Sequence, residues 1–240
     1  MTSPRRPLPI AATAGVAFLV LTALVATRWS PLLSLDRATA DTLDRATAPH
    51  PLLVHAWRTI SAVGQPLTWQ LVSLTVAILL WRAGAVRRAV LVAGSVLVAG
   101  LLSRIVKALV GRARPTVPDP IAHAGGYSFP SGHSLLSFVA VGALLIVAVP
   151  RLAGAARMVT LAAGALVVVL VGVSRLTLGV HYASDVVAAW LLGTAWLAIA
   201  LAALRRPLPG RRLTGRPRTP VRPADWRRRA RRRRGRERPR

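Results

Sequence analysis

Two histidines and a set of cations stand where their chemistry would suit transfer of a phosphoryl group. His181 and Asp185 are four residues apart, a spacing that stacks imidazole and carboxylate on one face if a helix begins near His181. A carboxylate on one ring nitrogen fixes the tautomer and leaves the lone pair of the other outward, as a nucleophilic histidine requires. His133 has no such carboxylate nearby in sequence. Beside an anionic phosphate it is suited to hold a proton and pass it to a departing oxygen as general acid. Lys107 is the single lysine in a chain with 32 arginines, so a compact ammonium is specifically placed there. Arg112 and Arg114 follow it where Gly111 and Pro115 end a helix, and Ser174-Arg175 precede His181.

The run Phe129-Pro130-Ser131-Gly132-His133 comes just before a long apolar stretch. Ser131 is a natural N-cap, and Gly132 lets a ligand approach the backbone. A helix start offers free N–H groups and positive partial charge to a phosphate. Alone, each cation has a plainer role in snorkelling to lipid headgroups, each histidine a structural one, and the helix start a simple cap. Together they favour the site. Three further histidines, His50, His55 and His123, have no comparable surroundings.

The chain has no cysteine and only seven acidic residues, which excludes thiolate chemistry and disfavours a carboxylate-rich metal cage. We therefore expect metal-free catalysis without a cofactor.

The elements that position these groups are membrane helices. Hydrophobic residues make up 53% of the chain and charged residues 17%. Six apolar runs predict an all-α bundle of six spans: Ile10–Ala26, Leu67–Trp81, Ala89–Val110, Leu135–Val149, Met158–Val173 and Val186–Leu204. Met1–Ala26 is read as a retained first helix, since Leu24-Val25-Ala26 makes a poor cleavage site. Basic residues at Arg5 and Arg6, at Arg82, Arg87 and Arg88, at Arg151 and Arg157, and in the tail all fall on one side of this threading. The positive-inside rule makes that side cytoplasmic, with both termini inside a multi-pass cell-membrane protein. The ends of helices 3 to 6 that carry the site then lie on the extracytoplasmic face. Between the first two spans Leu35-Asp36-Arg37-Ala38-Thr39-Ala40 is repeated, eight residues on, as Leu43-Asp44-Arg45-Ala46-Thr47-Ala48. This segment reads equally as an amphipathic helix on the outer leaflet or as an ordinary capping helix.

Lys107 with six residues between it and Arg114-Pro115, then Pro130-Ser131-Gly132-His133, then Ser174-Arg175 with five residues between it and His181 and three more between His181 and Asp185, resembles the type 2 phosphatidic acid phosphatase superfamily. The resemblance runs from about residue 33 to about residue 204 and includes Asp44, Thr59 and Gly64-Gln65-Pro66. It implies that Lys107, Arg114, Ser131, Gly132 and Arg175 hold the phosphate. It also implies a phosphohistidine at His181, formed as His133 protonates the leaving group and later hydrolysed by water. The implied substrate is a lipid phosphate or diphosphate in the bilayer. Undecaprenyl diphosphate ranks first, then phosphatidylglycerophosphate or phosphatidic acid.

The same phosphohistidine would also serve a lipid phosphotransferase. In a different class of reading, the chain is a non-catalytic membrane anchor. Domain organisation is expected as a membrane-embedded unit over 1–204 and a disordered Arg-rich cytoplasmic tail over 205–240, with 17 arginines against Asp225 and Glu237. The expected partner of that tail is anionic lipid, with nucleic acid a weaker candidate.

Overall fold

Prolines set where several helices begin, because a first-turn proline gives up an N–H that has no intrahelical acceptor. The computed structural model describes residues 7–116, 122 and 124–205. Its helices are α1 (Pro7–Ala26), α2 (Ser30–Thr47), α3 (Pro51–Val63), α4 (Pro66–Arg82), α5 (Val86–Val110), α6 (Gly132–Ala148), α7 (Gly154–Thr177) and α8 (Ala183–Arg205). A short 3-10 turn, Val149–Arg151, extends α6. No strand occurs among the described residues. The chain divides into units 1–206 and 207–240; the helices belong to the first, and the Arg-rich tail from residue 206, like Arg5 and Arg6, lies outside the described residues.

Five helices are long and apolar enough to span a bilayer: α1, α5, α6 with its 3-10 extension, α7 and α8. The second expected span is a broken one. Its apolar run corresponds to α4, only 17 residues long, and α3 joins it at a 41° bend, the pair together passing as a sixth span. Gly64 closes α3 and Pro66 opens α4, so the break has a local cause.

The helices also run past the expected boundaries. α5 begins at Val86 rather than Ala89, α6 at Gly132 rather than Leu135, and α8 at Ala183 rather than Val186, while α7 continues to Thr177 rather than Val173. Reading apolar runs stops at the first polar side chain, whereas the backbone ladder continues through it. The consequence is that His133, Arg175 and Asp185 belong to helix termini.

At the centre lies α6. Its Leu135, Leu136, Val139, Ala140 and Ala143 are buried against Val92, Val96 and Ala99 of α5 and Ala189 and Leu197 of α8. Small residues let these backbones approach closely, which is how helices associate where lipid removes the hydrophobic drive between them. Leu19, Leu97, Leu101, Val159 and Leu166 face outward, as a lipid-facing perimeter requires. On α1, Phe18 stacks on Phe129 with ring centroids 6.3 Å apart, which seats the segment before α6.

The segment carrying the repeated motif forms α2, and its Asp36, Ala40 and Thr47 are buried. It packs on α7 and α8. Away from the site-bearing termini, Arg82, Arg87 and Arg88 flank the α4–α5 turn, and Arg151 and Arg157 flank the α6–α7 turn. There Arg87 donates to the carbonyls of Ala203 and Leu204 at the end of α8, where a cation complements the helix dipole.

Candidate active site

Six chain segments meet at one end of the bundle, and each arrives for a local reason. α5 ends at Gly111, whose φ of +61° is the left-handed conformation that closes a helix without a Cβ penalty. The chain then continues through Arg112 and Arg114 outside any helix or strand. Ser128 returns to this stretch, its N–H donating to the Arg112 carbonyl at 2.9 Å and its hydroxyl to that of Ala113 at 3.0 Å.

Lys107 and Arg114 converge on the loop before α6. Lys107 Nζ donates to the Tyr127 carbonyl at 2.5 Å, and Arg114 Nη2 reaches the same oxygen at 3.4 Å. Arg114 is otherwise held by the carbonyls of Gly125 (2.9 Å), Gly126 (3.0 Å) and Val180 (2.8 Å). Its Nη1 also lies 3.2 Å from His181 Nε2.

His181 is 3% exposed, and its Nδ1 lies 3.3 Å from Asp185 Oδ2. With Nδ1–H donating to the carboxylate, Nε2 is the basic nitrogen and accepts from Arg114. The expected i,i+4 pair forms, but not on a helical face. α8 starts after His181, and Tyr182 takes the cap position, its carbonyl accepting from Asp185 and Val186. Asp185 reaches back from the third helical position to the Tyr182 N–H at 3.0 Å, which is half of a capping box. One carboxylate thus caps the helix and orients the imidazole. Burial lowers the His181 pKa to about 4, with Arg114 and Arg175 pulling the same way and Asp185 opposing them.

Arg175 comes from the last turn of α7 and is 7% exposed. Its Nη1 donates to Ser61 of α3, and its carbonyl accepts from the backbone of Val180 and His181 at 3.3 and 3.2 Å. Its Nε is buried without a hydrogen-bond partner among the described residues, a donor available to an anion. Gly64 permits the α3 contact: a Cβ there would lie 2.6 Å from Val171 Cγ2 on α7.

Ser131 caps α6 as expected, its Oγ accepting from the Ser134 N–H at 3.5 Å and the Ser134 hydroxyl at 3.0 Å. Its own N–H is committed to the Asp185 carbonyl at 3.1 Å, so it ties α6 to α8. The N–H groups of Gly132 and His133 open the helix and have no intrahelical acceptor. His133 is half-buried, and Lys107, Arg114, Arg175 and His181 all lie close enough for their charges to act on it. Among the described residues no three His, Asp or Glu side chains gather as a metal site.

Two central residues lie outside the motifs. Asp36 of α2 is 1% exposed and accepts from the Ser184 N–H at 3.0 Å, from the Ser184 hydroxyl, and from Arg112 Nη2 at 2.7 Å. Arg112 Nη1 in turn binds Asp185 Oδ1 at 2.7 Å, and its guanidinium lies 4.2 Å from the Tyr182 ring centroid. A chain Asp36–Arg112–Asp185–His181 therefore runs from the covering helix to the imidazole. His50 and His55 are exposed on or beside α3, and His123 lies outside the described residues.

The sequence profile of the PAP2 superfamily matches residues 88–207, half of the chain. The chain belongs to the PAP2 superfamily. All eight residues expected in the site fall inside that match, whereas Asp36 and Ser61 fall outside it. Phosphatidylglycerophosphatase B of Bacillus subtilis is 38% identical over 96 residues, 39% of this chain and 46% of that relative, so the match spans about half the relative's length. A crystal structure of a transmembrane PAP2-type phosphatidylglycerolphosphate phosphatase from Bacillus subtilis has a TM-score of 0.68 at 23% identity, covering 81% of this chain and 95% of that one. This PAP2 chain thus shares the helical fold of that membrane protein.

Proposed function

We propose that this PAP2 protein hydrolyses a terminal phosphate on a membrane lipid through a phosphohistidine at His181, without a metal. The observation that carries the reading is His181 itself, with Nδ1 on Asp185 and Nε2 turned to Arg114 inside a cluster of Lys107, Arg114, Arg175 and His133.

In the first step Arg114 moves its hydrogen bond from Nε2 to a phosphate oxygen, which frees the lone pair. Nε2 attacks phosphorus, the bond to the lipid oxygen breaks, and His133 gives that oxygen its proton. The substrate phosphate is the counter-charge that holds the proton on His133, which has no carboxylate beside it. Lys107, Arg114, Arg175 and the open N–H groups of Gly132 and His133 neutralise the equatorial oxygens, an effect worth several kcal/mol (roughly 3 to 4 per well-placed donor) in such reactions. Water then attacks phosphorus, His133 takes its proton, the P–N bond breaks, and inorganic phosphate leaves.

Among lipids, the likeness to phosphatidylglycerophosphatase B favours phosphatidylglycerophosphate ahead of the polyprenyl diphosphate ranked first from sequence, with phosphatidic acid a third candidate. The arginines at the α4–α5 and α6–α7 turns support an extracytoplasmic site and cytoplasmic termini. Residues 205–240 would add a polybasic stretch for anionic lipid, at about 1 kcal/mol per residue near the surface.

The test is phosphate release by purified protein on these three lipids with EDTA present. Release that survives EDTA and is lost in both His181→Ala and His133→Ala supports the reading. Full activity in His181→Ala refutes it.

A further inference from the structure

α1 ends in a way its sequence does not favour. The Arg28 N–H donates to the Val25 carbonyl at 3.2 Å and the Trp29 N–H to that of Leu24 at 3.0 Å, the paired bonds of a Schellman closure. This closure needs a left-handed residue at position 28, usually glycine. Here it is Arg28, with φ +56°, and no other non-glycine residue among the described ones has positive φ. A bulky side chain at such a backbone position directs attention to what that side chain does.

Arg28 lines a cavity of about 350 Å³ together with Arg37 of α2, Arg112 and Tyr182, closed on its apolar side by Val25, Leu33 and Val110. Arg112 is already balanced by Asp36 and Asp185. Neither the Arg28 nor the Arg37 guanidinium has a hydrogen bond or ion pair among the described residues, so two unbalanced cations share one recess beside the end of α1. Lys107, Arg114, His133, Arg175 and His181 do not line it, yet Tyr182 directly follows His181. The recess is beside the catalytic cluster and separate from it.

We propose that this cavity is a second anion site, which binds the non-reacting phosphodiester of a lipid whose terminal phosphate reaches His181. It rests on the lipid-phosphatase reading above and narrows the substrate class to lipids carrying both a phosphodiester and a terminal phosphomonoester. Two guanidiniums suit a phosphodiester, since each offers paired N–H donors to its oxygens.

The test uses the full chain in nanodiscs, with Arg28→Gly and Arg37→Gln singly and together. Arg28→Gly removes the guanidinium while supplying the residue the backbone prefers, so its melting temperature should equal or exceed the parent's. The double variant should raise KM about tenfold for phosphatidylglycerophosphate, the scale of losing a charge-assisted contact, with kcat kept and KM for phosphatidic acid changed less than about twofold. Equal change on both lipids, or none on either, overturns the proposal.

A second measurement does not depend on turnover. Native mass spectrometry should find one fewer retained phosphatidylglycerol on the double variant than on the parent, with diacylglycerol, which carries no phosphate, unaffected. Equal retention overturns the site, as does retention that inorganic phosphate alone accounts for. Lost retention together with a lower melting temperature in Arg28→Gly makes the side chain structural and also overturns it. If the parent hydrolyses neither lipid, the phosphatase reading fails while lipid retention still decides the cavity.

Discussion

The carboxylate of Asp36 on α2 accepts the backbone N–H of Ser184 in the first turn of α8 at 3.0 Å, a cap supplied from 148 residues away. Tyr182, at the cap position, has no side-chain oxygen placed to serve that N–H. The same Asp36 holds Arg112, and Arg112 holds Asp185, so the geometry around His181 depends on a helix outside the PAP2 match.

Removing that buried tie should cost substantial stability. Asp36→Ala leaves Arg112 buried with one carboxylate and strips the α8 start of its acceptor, a loss of about 3 to 5 kcal/mol for breaking a buried pair. Adding Arg112→Met should recover part of that loss. Thermal unfolding in detergent of the two single variants and the double variant measures the coupling.

Asp185→Asn keeps the shape of the side chain but takes away the charge that fixes the His181 tautomer. We expect kcat to fall by roughly three to four orders of magnitude, by analogy with other carboxylate-oriented histidines, with a much smaller change in KM. Steady-state kinetics on a single lipid phosphate would separate the two. A retained kcat would remove Asp185 from the mechanism.

The pH dependence follows from burial of His181. Its pKa of about 4 leaves Nε2 unprotonated at neutral pH, and protonation as pH falls through that value abolishes nucleophilic attack. The acid limb of kcat/KM assigned to His181 should therefore lie near pH 4 rather than near the ordinary histidine value. Because Asp185 raises this pKa, the residual activity of Asp185→Asn should show the limb displaced to still lower pH. The sign for stability is the same: the contribution of neutral His181 is complete above about 6.5 and declines as pH falls toward about 4.

Ser61 is a positioning residue for Arg175. Ser61→Ala leaves the buried guanidinium short of an acceptor, at a cost of about 1.5 to 3 kcal/mol for a hydrogen bond to a charged group. KM should rise about tenfold while kcat falls less, and Ser61→Thr should restore most of the binding. Arg175→Lys should not behave as a mild change, since an ammonium cannot reach Ser61 and phosphate through a planar fork.

Much of this was legible in the sequence. Apolar runs located the spans, and Lys107, Arg114, Ser131, Gly132, His133, Arg175, His181 and Asp185 read as one site because three motifs fell at matching helix ends. The tie through Asp36 was not, because a contact across 76 residues to Arg112 has no local signature. One signal was available: Asp36 is among only seven acidic residues and shares a helical face with Ala40 and Thr47, the side that proves buried. In sequence Arg112 resembles its neighbour Arg114, and only the carboxylates that face Arg112 set it apart as a structural cation.

The 41° break between α3 and α4 bears on how this molecule could be re-engineered. Since Ser61 sits before the kink, swapping the 51–82 segment for a straight hydrophobic stretch of equal length would keep a membrane crossing yet carry the serine away from its arginine. Grafts between homologues should therefore exchange the kinked pair as one cassette, together with the α7 surface that accommodates Gly64.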